Sequence, residues 1–318
     1  MKKKVLFIRL DKIGDLICTL PADQVLNEDL YDITWIVQKG LGQLVELGVK
    51  KRKYFELDKS TPIISAQQLK DFLKTFTPDL AISFQCPWWV NYELYRADVP
   101  IRAGVKSQWH SFLFLNHAIR QKRSQAEKHE LEYNLDLVYH TLNPRQTKLF
   151  QYFEITRPEN TELLKKYNLV ENKYVVVHPG MSGSALNWPQ SEYIKYIHNL
   201  ILQKKHVVIT GTDQDENYLT EIKKEFVSNP DASPDVSPQV TWLQSKLNLK
   251  ELVQILAYAE FVVAPSTGVA HLAASVGAYT KAIFSPVRVQ HPKRWAPRGP
   301  HVEILMLDES TLKVENFF

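Results

Sequence analysis

Short, nearly continuous apolar runs alternate along this chain with longer stretches whose apolar positions recur at helical spacing. The first run, Val5-Leu6-Phe7-Ile8, fits a strand covered on both faces, as parallel sheets require. A polar turn over residues 9–15 follows, with a glycine at position 14, and then a helical pattern through Asn27. Pro21 leaves two readings of that pattern: a helix that starts near Thr19 with the proline in its first turn, or one that starts at Asp15 and bends. The alternation continues with strands at 33–37, 54–57 and 80–84 and helices at 40–47 and 65–76. Beyond Phe84 the regularity weakens. Gln85-Cys86-Pro87-Trp88-Trp89 reads as a loop at the carboxyl end of a strand, where doubly wound sheets place their ligands. Residues 106–123 mix Trp109, Phe112 and Phe114 with His110, His117, Arg120, Lys122 and Arg123. That mixture fits a helix packing its aromatics, or a surface that attracts phosphates or lipid headgroups. Leu131, Leu135, Val138 and Leu142 then line one helical face.

The second half restarts the same rhythm. Strands are predicted at 175–177, 207–209, 240–243, 260–263, 282–284 and 302–306, with helices at 191–203, 216–226, 249–258 and 270–276. Residues 229–238, rich in Pro, Asp and Ser, read as a surface loop. Residues 156–160 have the look of a hinge before a charged helix. The expected fold class is therefore α/β, two Rossmann-like doubly wound domains, residues 1–157 and 158–318.

Composition is compatible with that division. A chain of 318 residues can bury two cores of ordinary size, and 44% hydrophobic against 23% charged residues describes a globular protein. No apolar segment approaches the ~20 residues that cross a bilayer. The opening Met1-Lys2-Lys3-Lys4 runs directly into a strand, so the expected location is cytoplasmic. Cys18 and Cys86 both sit among apolar residues and read as reduced core thiols. The net charge of +4 is mild, and no basic run or recognition-helix motif points to nucleic acid.

Candidate chemistry gathers in the turns. The stretch from Val263 to Gly277 reads strand, Pro265 stop, Ser266-Thr267 cap, helix. Its first helical turn presents unpaired N–H groups and a positive dipole end, with Gly268 adding no bulk: either an ordinary capped turn or an anion seat. Asp15 follows Gly14 and opens a helix, so it fits a plain N-cap or a dipole-stabilised, ionised carboxylate that accepts a proton. His178-Pro179-Gly180-Met181-Ser182-Gly183-Ser184 lies between strand and helix, and its glycines and serines could serve a diphosphate. It is neither a Walker loop nor a dinucleotide fingerprint. Asp213-Gln214-Asp215 spells a D-x-D, but acidic residues at a helix start have a sufficient reason in the dipole, and no metal is expected.

Taken in order, Arg9-Leu10-Asp11-Lys12-Ile13-Gly14-Asp15-Leu16 with Thr19-Leu20-Pro21-Ala22, the loop from His178 through Asn187-Trp188-Pro189, and residues 265–277 with Phe284-Ser285-Pro286 and Trp295-Ala296-Pro297 resemble the signature blocks of glycosyltransferase family 9, the lipopolysaccharide heptosyltransferase family. The resemblance covers nearly the whole chain. It implies the GT-B fold, with an N-terminal acceptor-binding domain and a C-terminal nucleotide-sugar domain around a cleft. It also implies inverting, metal-independent transfer with no cofactor beyond the donor, typically ADP-heptose. By position, the family's base falls on Asp15. Donor contacts fall on Gly14, Ser182, Gly183, Ser184, Ser266, Thr267, Gly268 and His271, and the ribose contact on Glu216. Trp88, Trp89, Arg120, Lys122 and Arg123 would face an anionic glycolipid acceptor, with transient association at the inner face of the inner membrane. Two positions depart from the pattern. Leu186 stands where many relatives have Lys or Arg, leaving Lys281, Arg288 or Lys293 to supply a phosphate contact, and Ser266 stands where many heptosyltransferases have Asp. The second departure keeps open a different, for example uridine-linked, donor for another envelope glycan. A catalytically silent sugar-nucleotide binder is the third reading.

Overall fold

The computed structural model describes residues 1–144, 152–159, 161–181, 187–227 and 239–308. The chain divides into two compact units, Met1–Phe153 and Glu154–Phe318, so the division falls just before the hinge expected at 156–160.

In unit one, β1 (Lys3–Arg9), α1 (Ile13–Ile17), β2 (Tyr31–Gln38), α2 (Gly42–Leu47), β3 (Lys53–Leu57), α3 (Pro62–Phe76), β4 (Leu80–Ser83), α4 (Trp88–Arg96), β5 (Ile101–Val105), α5 (Trp109–Phe114), β6 (His117–Ile119) and α6 (Glu130–Leu142) follow one another. All six strands are parallel, in the order β3-β2-β1-β4-β5-β6. Residues Val5 to Ile8 are fully buried because helices cover both sheet faces, which explains the unbroken apolar run. Each such side chain contributes roughly 1.5–3 kcal/mol by leaving water. Phe7 meets Trp35 and Phe84 edge-on across three adjacent strands, at 5.0 and 5.5 Å between centroids. The Trp35 indole N–H donates to Asp23, which is also gripped by the Arg52 guanidinium. That satisfies a buried carboxylate beneath the sheet.

Unit two contains α7 (Glu162–Lys166), β7 (Tyr174–Val177), α8 (Gln190–Leu202), β8 (His206–Ile209), α9 (Glu216–Phe226), β9 (Val240–Trp242), α10 (Leu249–Ala257), β10 (Phe261–Pro265), α11 (Gly268–Ser275), β11 (Thr280–Phe284), α12 (Pro292–Trp295) and β12 (Val302–Met306). Its sheet runs β12-β11-β10-β7-β8-β9, again wholly parallel. In both units the strand order reverses beside the first strand, between β1 and β4 and between β7 and β10. Ligands of such sheets bind at the carboxyl ends of those strands.

Three expectations change. The helical pattern after Asp15 is neither one late helix nor one bent helix. It breaks into α1 and a 3₁₀ turn, Leu20–Asp23, with Pro21 near its start, because proline has no N–H to continue the ladder. Trp88 and Trp89 open α4 and do not lie in a loop. Finally, 106–123 is no single helix: α5 is followed by β6, and β5 precedes them. A Cβ on Gly104 of β5 would stand 2.9 Å from Ser83 Oγ, so only glycine fits this close approach, and that glycine weakens the strand pattern in the sequence.

Candidate active site

The carboxyl end of β1 carries a buried cation. Arg9 is 1% exposed and reaches across the point where the sheet order reverses, donating from Nη1 to the Phe84 carbonyl at 3.2 Å and to Gln85 Oε1 at 3.3 Å. Its Nη2 donates to Asp15 Oδ1 at 2.5 Å. Its Nε lies 3.0 Å from Asp11 Oδ2, an ion pair whose N–H is not aimed along a hydrogen bond. Glu130, at the start of α6, faces Arg9 at 3.8 Å and pairs with Arg123. Lys59 closes on Asp11 at 2.9 Å. Three carboxylates thus meet three cations, which is how a protein holds buried charge without leaving one uncompensated.

Asp15 sits in the first turn of α1, with a quarter of its side chain in water. Burial raises its carboxyl above the ordinary carboxylate range, and the Arg9 guanidinium opposes that rise. The expected dipole-stabilised carboxylate is therefore corrected: a helix of one turn has little dipole, and desolvation is the larger effect. A raised, partly exposed carboxylate is a better proton acceptor than an ordinary one. The backbone around it is clamped from α6. Asn134 Nδ2 donates to the Cys18 carbonyl and to Thr19 Oγ1, whose hydroxyl donates to the Asp15 carbonyl at 2.7 Å. Both cysteines are buried and neither is in a disulfide, and Cys86 Sγ donates to the Ile8 carbonyl beside Arg9.

At the corresponding place in unit two, β10 ends at Pro265 and α11 starts at Gly268. Thr267 occupies the N-cap with extended backbone, φ −136° and ψ 171°, yet its hydroxyl does not turn back to cap the helix. That Oγ1 is buried without a hydrogen-bond partner. The first-turn amides are the donors such a helix start offers. His271, 5% exposed, lies one turn in. Beside them, His178 ends β7 and donates its backbone N–H to the Val263 carbonyl at 2.9 Å. Its ring meets Thr210 Oγ1 at 3.0 Å, and burial lowers its pKa to about 4 against the opposing pull of Asp215. The imidazole is neutral at pH 7. Asn187 donates to the Pro179 carbonyl and accepts from the Trp188 N–H and the Tyr193 hydroxyl.

Residues 68–316 match the model of glycosyltransferase family 9 (heptosyltransferase). The chain belongs to this family. It is a glycosyltransferase, and its paired doubly wound units are the GT-B fold. A Haemophilus influenzae protein described only as a glycosyltransferase is 26% identical over 316 residues, spanning 93% of this chain and 86% of that protein. The structure of E. coli ADP-heptose lps heptosyltransferase II superposes with a TM-score of 0.77 at 17% identity, covering 96% of this chain and 90% of that one. E. coli heptosyltransferase WaaC with ADP gives 0.69 at 18% identity, with 96% and 93% covered. At such identities the two structures speak for the fold.

The transferase places its other sequence-predicted residues unevenly. Gly14 lies in α1 next to Asp15, and Thr267, Gly268 and His271 share the start of α11 with half-buried Ser266. Ser182, Gly183, Ser184 and Leu186 lie outside the described residues. Glu216 opens α9 with an exposed carboxylate, oriented by Gln244 Nε2 at 2.6 Å and faced by Lys223 at 3.6 Å. Two acceptor candidates are corrected. Trp89 is 4% exposed and packs in the core between α3 and α4, and Arg123 is 5% exposed, spent on Glu130 and stacked over Tyr133. Trp88, Arg120 and Lys122 remain at the surface. Lys281 lies at the amino end of β11, 3.7 Å from Glu303, so it sits at the wrong edge of the sheet for the α11 turn. Exposed Arg288 and Lys293 follow the correct end of β11. Asp213 accepts from Ser245, and Asp215 from the backbone and hydroxyl of Thr212.

Sequence reasoning assigned no role to Arg9, Glu130, Asn187 or Gln244. Arg9 had a usable signal, a charged residue closing a fully apolar strand run. Glu130 meets Arg9 and Gln244 meets Glu216 across long sequence separations that leave no local trace, while Asn187 bonds within its own neighbourhood.

Proposed function

We propose that this enzyme transfers heptose from ADP-heptose to the core region of a lipopolysaccharide acceptor, by a single inverting displacement without a metal ion. Asp15 accepts the proton of the attacking acceptor hydroxyl as its oxygen bonds to the anomeric carbon. The bond from that carbon to the diphosphate breaks, and the nucleoside diphosphate leaves. The uncapped amides of α11 and the Thr267 hydroxyl take up the charge growing on the diphosphate, as donors fixed in advance do best. Arg288 and Lys293 are the cations placed to add to this. Glu216, oriented by Gln244, holds the ribose. Donor chemistry is supported by the heptosyltransferases that share the fold, one an ADP-heptose enzyme and one with ADP bound.

The observation that carries the reading is the Asp15 carboxylate, held by Arg9, partly open to solvent and raised in pKa at the switch point of its sheet. Asp15→Asn keeps the shape and removes the base. Its kcat should fall by about 10²–10⁴-fold with donor binding unchanged. Full turnover in that variant eliminates Asp15 as the base. A second reading, a uridine-linked donor, is favoured by Ser266, whose short neutral side chain stands at the start of α11.

A further inference from the structure

At the amino edge of the first sheet a recess of about 220 Å³ opens beside the starts of β2 and β3. β1, β2 and β3 run parallel and side by side, so their first residues share that edge, whereas Asp15 follows the opposite end of β1. Five cations line the recess: Lys2, just before β1, and Lys50, Lys51, Arg52 and Lys53, which run consecutively into β3.

Three carboxylates line it as well, and each is already matched. Asp23 is 1% exposed and accepts from Arg52 Nε at 2.7 Å, from Arg52 Nη2 at 3.0 Å and from the Trp35 indole. Glu28 pairs with Lys50 at 3.1 Å and Asp32 with Lys53 at 2.7 Å. Two cations are left over. Neither Lys2 nor Lys51 has a carboxylate within ion-pair distance among the described residues, and Lys51 Nζ donates to the Glu46 and Gly48 carbonyls, at 3.2 and 3.3 Å. Beneath them the Arg52 side chain, 2% exposed, also donates to the Lys50 and Leu20 carbonyls, at 2.9 and 3.3 Å, and stacks over Phe153. Four of its five N–H groups are thereby bonded, which leaves one.

We propose that this recess is an anion site, built for a compact phosphate or diphosphate group. Two surplus ammonium groups match a dianion in charge. Low-dielectric walls concentrate their field inside the recess, where solvent screens it less than on an open surface. Arg52 is ordered in advance by Asp23, so its guanidinium meets a phosphate oxygen with little loss of freedom, and the Tyr31 hydroxyl on the lining adds a neutral donor. Size and charge pattern select among anions. The volume equals that of roughly seven liquid waters, enough for a diphosphate, with the rest of any larger ligand left in solvent. Carboxylates interleaved with the cations repel an extended polyanion such as nucleic acid. The floor of the recess is also the end of the segment that carries Asp15, since Arg52 holds the Leu20 carbonyl and Asp23 closes the 3₁₀ turn after α1. The site does not rest on the transfer chemistry proposed above.

The test is isothermal titration of the full chain at low salt with inorganic diphosphate, inorganic phosphate and ribose 5-phosphate. Binding should saturate and weaken as salt is added. Lys2→Gln with Lys51→Gln removes the surplus charge without touching a buried pair and should weaken binding by at least roughly tenfold, at an unchanged melting temperature. Ribose 5-phosphate that binds as tightly as phosphate supports a phosphate carried by a larger molecule, and inorganic ions that bind alone support the free ion. Amide exchange locates the site: diphosphate should slow it at residues 20–23 and 50–53. Heat that never saturates, a double variant that binds like wild type, or slowing confined to the start of α11 overturns the proposal.

Discussion

Arg9 shows how much one buried side chain decides. Its charge is secured by Asp15, Asp11 and Glu130 together, which hold the guanidinium protonated despite burial. Asp15 can serve as the proposed base only when ionised, and Arg9 is what lowers its pKa against desolvation. Arg9→Gln should therefore raise the Asp15 pKa further, moving the acid limb of the kcat/KM profile up by about a pH unit or more. Arg9→Lys keeps the charge and should return the limb part of the way. Melting measured alongside should fall, since breaking a buried pair typically costs ~3–5 kcal/mol. An acid limb that stays in place in Arg9→Gln would show that Arg9 is structural alone.

At the scale of elements, the candidate groups sit on strand-to-helix turns, and these differ in how they are braced. The β7 turn is stiffened by neutral His178 against Thr210, and the β10 turn leaves its Thr267 hydroxyl unspent. His178 makes unit two acid-sensitive. Its folded pKa of about 4 lies below the ordinary 6.5, so between those values the unfolded chain binds a proton that the native ring does not. Stability is then lost as pH falls from about 6.5 towards 4, by at most ~3 kcal/mol from this group, and the slope ends below 4. Urea unfolding at pH 7 and pH 4.5 checks it, and a His178→Gln chain should lose that part of the difference. Elements with strong periods, such as α9 and β12, were legible from spacing. β5 and β6 were not, because Gly104 and the three-residue length of β6 remove the pattern that spacing needs.

For the whole molecule, the shared strand order of the two sheets is the organising fact. Each unit gathers its candidate groups at its reversal point: a carboxylate beside Arg9 in one, helix amides beside His178 in the other. A donor that binds the folded state alone must raise the melting temperature, by about 2.7 kcal/mol of added stability at a hundredfold excess over Kd. ADP should produce that shift of several degrees and UDP little. The reverse ranking would favour the uridine-linked reading that Ser266 invites.

Local chemistry alone was enough to write the α/β rhythm, the apolar strand runs and the strand-Pro-cap-helix turn at 265–268, since each depends on neighbours within a few residues, whereas the choice of Asp15 as base came from the family resemblance. The tertiary structure decided what depends on distant ones. Burial decided that Trp89 and Arg123 belong to the interior while Trp88 and Arg120 stay outside. The sheet decided that Arg9 meets Phe84 and Gln85, and α6 that Glu130 and Asn134 clamp the turn holding Asp15. A pKa is set by desolvation and by charges brought close in space, so the direction of the Asp15 shift came only with the fold.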